Sequence, residues 1–271
     1  MKYAFSTLGC PAWSIEQVVD AALRMGYDGI ELRLLDGQII EPTTDREKVS
    51  RAVAICRAHG LEVCALDTSC SFNFSSSAER LRQIASLRSW MQLAQKVQVP
   101  RLRVFGGGHP AVAPAPTAAE ENGRIVESLR RVVGEAERAS VTIMLETHDA
   151  FSSAHRVSSV LRAVDSPSVA ALWDTQHTYR AGENAEDVIA TLGTRIAHVH
   201  VKDARRIPGN SNWQLVLPGE GEVPVREQLQ ALQRHGYAHF VSVEWEKKWH
   251  PELAEPEIAL PQHIAWLKGV S

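Results

Sequence analysis

The sequence predicts an α/β fold, a single closed (β/α)₈ TIM barrel over residues 1–271 with its site at the C-terminal mouth, and three observations carry that prediction. Strand-like and helix-like stretches alternate eight times from end to end, the order expected of βαβ units around a parallel sheet. The length of 271 residues slightly exceeds the roughly 250 usual for such a barrel. Finally, the first strand runs into Leu8-Gly9-Cys10-Pro11-Ala12-Trp13, which lacks the glycine fingerprint of an open dinucleotide-binding sheet.

Taken in order, residues 3–9 read as the first strand, and Ser14 caps a helix that runs to Met25, with Gly26 in the place of a C-terminal glycine. Residues 29–34 form the second strand, 45–59 a helix closed by Gly60, and 61–67 the third strand. The stretch 77–96 places Leu81, Ile84, Ala85, Leu87, Trp90, Met91 and Ala94 on a helical stripe, which predicts core packing. Residues 101–107 form strand four, and Gly106-Gly107-Gly108 then permits a sharp turn or a close backbone approach to a ligand. A proline-rich loop over 111–116 precedes a helix over 117–139 and strand five over 141–147. Helix 157–164, strand six over 169–175, helix 185–192 and strand seven over 196–202 follow. The chain closes with helix 225–235 before Gly236, strand eight over 240–245 and a helix over 257–267.

Composition removes several classes of function. Hydrophobic residues at 44% and charged residues at 23% are ordinary globular usage, which argues against disorder and fibrous repeats. A net charge of −3 gives no basic footprint for nucleic acid or anionic lipid. No apolar run approaches the ~20 residues of a membrane helix, and the N-terminus lacks a signal peptide's apolar core, so a soluble cytoplasmic protein is expected. Cys10, Cys56, Cys64 and Cys70 show no paired spacing and are expected as reduced, buried thiols.

The chemistry concentrates at strand ends. In residues 196–204, Ile-Ala-His-Val-His-Val-Lys-Asp-Ala, a period of two places His198, His200 and Lys202 on one face. Leu145-Glu146-Thr147-His148, Trp173-Asp174-Thr175-Gln176-His177 and Val243-Glu244-Trp245-Glu246 end three other predicted strands. In a barrel all these ends converge on one mouth, so Glu146, Asp174, His200 and Glu244 become one candidate set. One imidazole with three carboxylates is a hard, mostly oxygen donor set, suited to Mn²⁺, Mg²⁺, Co²⁺ or a catalytic Zn²⁺.

These stretches, together with His198-Val199-His200-Val201-Lys202-Asp203 and Pro218-Gly219-Glu220-Gly221-Glu222-Val223, resemble the xylose-isomerase-like barrel superfamily, in particular its sugar phosphate isomerase/epimerase members. The resemblance implies that Glu146, Asp174, His200 and Glu244 hold one divalent ion, Mn²⁺ by preference, without an organic cofactor, and that Glu146 and Glu244 form the acid/base pair. It places His177 near the ion or the substrate oxygens, and it selects His200 over His198 and Glu244 over Glu246, pairs that strand phase alone leaves open. His198 is then expected as a packed partner behind the ligands, and Glu246 as a partner or a substrate group. His148 and Lys202 are candidates for substrate hydroxyls, with an ion pair to Asp203 or a glutamate as the alternative for Lys202. Glu31 is read as a pocket residue or the partner of an arginine, and His109 as a cover over the site. Trp13, Phe72 and Trp249 are candidates for an apolar wall, and Arg205, Arg206, Lys247 and Lys248 for a phosphate.

The implied function is a metal-dependent isomerase or epimerase of a sugar or sugar phosphate, working through an enediolate formed by proton removal beside a carbonyl. Return of the proton to the opposite face inverts the carbon, return to the neighbouring carbon isomerises the sugar, and loss of hydroxide dehydrates it. A dehydratase of the inosose or dehydroshikimate type is therefore the main alternative. An apurinic endonuclease would need further histidines, and His235 and His239 lie in no His-x-Asp-x-His arrangement. A ligand-binding barrel without catalysis completes the alternatives. The expected partner is a small sugar, not nucleic acid or membrane; a homo-oligomer is compatible with the sequence.

Overall fold

Eight parallel strands close into a barrel in the computed structural model, which describes residues 1–109, 111, 114–209 and 212–270. They are β1 (Lys2–Ser6), β2 (Gly29–Leu32), β3 (Glu62–Ser71), β4 (Arg101–Phe105), β5 (Thr142–Glu146), β6 (Val169–Asp174), β7 (Ile196–Val201) and β8 (Phe240–Val243). Each strand pairs with its neighbours in sequence, and β8 closes on β1 with Phe5 opposite Val243. Alternation sorts the side chains. Phe5, Ile30, Leu66, Val104, Leu145, Trp173, Val199 and Val241 face outward into the main core. The inner phase forms small apolar clusters, Ala4 with Cys64 and Phe240, and Ala65 with Met144 and Leu172. Toward the C-terminal ends the same phase turns polar, at Arg103, Glu146, Asp174 and His200, all buried.

The surrounding helices begin where local chemistry satisfies free amides. Helix α1 (Ile15–Met25) opens with a capping box between Ser14 and Gln17 and ends on Gly26 at φ 77°. Next come α2 (Arg46–Ala58) and α3 (Ser77–Val97), with the hydroxyl of Ser76 capping the latter at Glu79. The helix expected over 117–139 is two, α4 (Ala118–Arg130) and α5 (Val133–Ala139). Its break falls at Val132, where two β-branched residues and Gly134 weaken the helix and the buried Val132 side chain is drawn inward. Helices α6 (Ala154–Val164), α7 (Thr175–Arg180), α8 (Ala185–Leu192), α9 (Val225–Arg234) and α10 (Pro256–Val270) complete the ring. The short α7 was not expected; it is nucleated by Asp174, whose Oδ1 accepts from the amides of Gln176 and His177.

Other expectations change at the strand ends. The first strand stops at Ser6, and residues 7–9 form a 3₁₀ turn capped by Ser6. Strand three runs on to Ser71, which carries Phe72 into the core and not to a loop wall. Gly106 makes room for protein, not ligand, because a Cβ there would lie 2.2 Å from the ring of Phe151. The proline-rich loop is only partly described, since Val112 and Ala113 lie outside the described residues. All four cysteines are buried and free.

Asp203 organises the loop over β7. Its carboxylate accepts from the amides of Ala204 (2.8 Å), Gly219 (2.9 Å), Gly221 (2.9 Å) and Val223 (3.3 Å). This explains the Pro218-Gly-Glu-Gly-Glu pattern: a Cβ on Gly221 would lie 2.1 Å from Asp203 Oδ1. Asp203→Ala is expected to cost about 1–3 kcal/mol in urea unfolding, since several amides lose their acceptor at once. An unchanged midpoint would refute this role.

Candidate active site

Glu146, Asp174, His200 and Glu244 meet at the C-terminal end of the barrel, with one ligand atom from each within 4.8 Å of the others. Strand register explains the meeting, because Asp174 pairs directly with His200, and His200 with Ser242, two residues before Glu244. His200 Nδ1 lies 3.4 Å from Glu146 Oε1 and 3.5 Å from Glu244 Oε2. Glu146 Oε1 and His200 Nδ1 are buried and make no hydrogen bond, while Asp174 Oδ2, also buried, faces the Lys202 ammonium at 3.0 Å. Orphaned ligand atoms on one imidazole and one carboxylate, with two further carboxylates beside them, fit a hard divalent cation.

Behind this set lies a group that the sequence hardly announced. Glu31 pairs with histidines and not with an arginine; its carboxylate contacts His198 Nε2 at 2.6 Å and His200 Nε2 at 3.0 Å. A carboxylate on the far nitrogen fixes the imidazole and leaves Nδ1 facing the other ligands. On the opposite side, Arg103 donates to Glu146 Oε2 at 3.1 Å and lies 3.8 Å from Asp67 Oδ2, with its guanidinium 4.1 Å from the Phe105 ring. Asp67, Arg103 and Arg33 were read only as strand residues; their signal was a charge in the inward phase between apolar neighbours.

These contacts set the charges. Burial would raise the Glu146 carboxyl, but Arg103 and His200 override it and hold the group down at about 2. Glu244 is also held well below the usual carboxylate range, since Lys202 and His200 outweigh its burial. The His200 imidazole stays well above its ordinary value against burial, through Glu31 and Glu244, whereas burial pushes His198 down. Asp67 goes the other way, pushed well up by burial and by the charge of Glu31.

Lys202 forms the ion pair to a glutamate, and its partner is not Asp203. Its ammonium is buried among Asp174 Oδ2 (3.0 Å), Glu246 Oε1 (2.7 Å) and Glu244 Oε2, and these carboxylates hold it well above its ordinary pKa despite burial. His148 and His177 pack edge to face, 4.3 Å between ring centres, and His177 Nε2 is 3.9 Å from Asp174 Oδ2. A cavity of about 340 Å³ opens above, lined in part by Phe105, His148, Glu244, Glu246 and the exposed Trp249.

Several expected site residues lie elsewhere. His109 bonds to Glu121 Oε1 at 2.8 Å and joins no member of the site. Trp13 donates to Glu257 on α10, and Phe72 is core. Lys247 donates to the carbonyls of Pro251 and Leu253, and Lys248 to that of Gly37, so both are occupied. Arg206 pairs with Glu222 and stacks over Trp213, while Arg205 is exposed on the hairpin strand Asp203–Arg206.

Known proteins resemble this chain along most of its length. An inosose dehydratase of Bacillus licheniformis is 31% identical over 152 residues, 51% of this chain, which spans only 50% of that relative. A fructoselysine 3-epimerase of Escherichia coli O157:H7 is 23% identical over 254 residues, covering 90% of both proteins. A solved structure of the IOLI protein with a zinc atom shares the fold at TM-score 0.80 and 19% identity, over 100% of this chain and 96% of that one. The first two are named as a dehydratase and an epimerase. No helix among the described residues is long and apolar enough to cross a membrane. The profile of a family described as the xylose isomerase-like TIM barrel matches residues 19–270, and the chain belongs to that family.

Proposed function

We propose that this chain is a divalent-cation-dependent isomerase or epimerase that enolises a polyhydroxy ketone, free or phosphorylated. The observation that carries this reading is the convergence of Glu146, Asp174, His200 and Glu244 beneath a mouth of sugar-sized volume. Bound at these four residues, a divalent cation, Mn²⁺ by preference, would neutralise the charge that develops on a carbonyl and its neighbouring hydroxyl. Glu146 and Glu244 extend from β5 and β8, strands with two others between them, and so reach the axis from different walls. Neighbouring cations hold both carboxyls below the usual range, so both are ionised near neutrality and able to bind the cation. One takes the proton beside the carbonyl and can return it to the neighbouring carbon; for inversion the other, after taking up a proton from water, delivers it to the opposite face while the first releases its own to water. His177 and Glu246, at the rim, orient the hydroxyls.

Dehydration is the second reading. It is favoured by the buried Lys202 ammonium, a proton donor for a departing hydroxide, and by the likeness to an inosose dehydratase over half the chain.

Incubation with Mn²⁺ and a panel of free and phosphorylated ketoses in D₂O tests the proposal. Deuterium is expected on the carbon beside the carbonyl, and the product distinguishes epimer, aldose and dehydration. Chelation is expected to stop the exchange, and added Mn²⁺ to restore it. Exchange that survives complete removal of the cation would overturn the reading.

A further inference from the structure

The cations at the barrel mouth are unequally partnered. Arg103 pairs with Glu146, and Lys202 with three carboxylates. Arg33, just after β2, is 7% exposed and lines the mouth cavity. Its Nη1 donates to the carbonyl of Asp67 and its Nη2 to the hydroxyl of Ser69, each at 3.0 Å, both neutral acceptors. No carboxylate lies within ion-pair distance of it among the described residues. Burial and the neighbouring Arg103 push its guanidinium down to about 10, against the more distant charges of Asp67, Glu244 and Glu146. A nearly buried guanidinium without a counter-charge is costly unless something completes it, and the open side here is the substrate's own space. The other basic residues near the mouth offer no substitute, since Lys247 and Lys248 are tied to backbone carbonyls.

Resting on the enolising reading of the site, we propose that the substrate carries an anionic group, a carboxylate or a phosphate, and that Arg33 receives it. The two hydrogen bonds to Asp67 and Ser69 fix the guanidinium plane, so the group is held ready-made in the lining of the cavity. The anion then marks the end of the substrate away from the reacting carbon, which lies over Glu146 and Glu244. Arg33 is therefore a specificity residue, and the carboxylates do the chemistry.

Three probes test this on the Mn²⁺-loaded full chain by calorimetric titration: D-fructose, D-fructose 6-phosphate and 5-keto-D-gluconate. At least one anionic probe is expected to bind about ten- to a hundredfold more tightly than the neutral sugar, the range of a charge-assisted hydrogen-bonded pair. The phosphate and carboxylate arms identify which anion the site takes. In Arg33→Met that advantage over D-fructose is expected to vanish, and Arg33→Lys should recover part of it. Equal binding of all three probes by the wild type, including no binding by any, overturns the proposal, as does an advantage that survives Arg33→Met. If Arg33→Met fails to fold, the wild-type comparison and Arg33→Lys decide. Deuterium exchange on D-fructose without preference for anions would refute the anion site and leave the enolising chemistry standing. Tight anion binding without exchange on any probe would do the reverse.

Discussion

Glu146→Gln and Glu244→Gln are each expected to lower kcat by about 10²–10⁴ while the barrel stays folded, the range lost when a positioned acid or base is removed. Glutamine keeps the shape and one oxygen acceptor but can neither take nor return a proton near neutrality. Glu146 has a further consequence, because it is the acceptor for Arg103, so its variant is expected to melt lower than Glu244→Gln. Metal content measured beside kcat separates loss of the cation from loss of the base. If the pair works from two faces, each variant should retain isotope exchange with one epimer and lose it with the other. Unchanged turnover in both variants would sink the acid/base assignment.

Arg103→Leu is expected to cause the largest loss of stability, about 3–5 kcal/mol, the usual result of removing one partner from a buried charge network. Asp67 and Glu146 are fully buried and face the guanidinium. The loss should depend on pH with a definite sign. A carboxyl held at about 2 when folded, against an unperturbed value of 4.5, contributes stability above 4.5 that disappears as pH falls toward 2. Without Arg103 that contribution is absent, so the gap between wild type and variant is widest near neutrality and narrows in acid. Urea titrations at pH 7.5 and pH 4 check this; a gap that widens in acid would contradict the charge argument.

What the sequence disclosed follows from how far each interaction reaches along the chain. The β/α rhythm and the phase of residues 196–202 are local, and closing a barrel brings strand ends together whatever fills the interior, so Glu146, Asp174, His200 and Glu244 could be grouped before any coordinates. The pairing of Glu31 with His198 and His200 joins residues 167 and 169 positions apart, and depends on closure and side-chain orientation that no local pattern records. Arg103 hid for a related reason: with Arg101 it makes two charges at alternate positions of a five-residue strand, which read as an exposed face until the inner face proves to be the polar one. For Lys202 strand phase left a substrate role and an ion pair both open, and only the closed barrel shows three carboxylates around it. Phe72 was misplaced because β3 continues to Ser71, beyond the residues whose pattern marked its end.

Asp174 divides its two oxygens between separate tasks, Oδ1 holding the first amides of α7 and Oδ2 facing Lys202 and His177. The six residues of α7 carry His177 and start on that carboxylate, with Trp173 and Gln228 also bonded to the helix at Thr178 and Thr175, so rim and floor share one residue. Asparagine at this position would preserve the cap, because it caps a helix as well as aspartate does, and delete only the charge. The joint therefore offers a way to separate scaffold from electrostatics with a one-atom change.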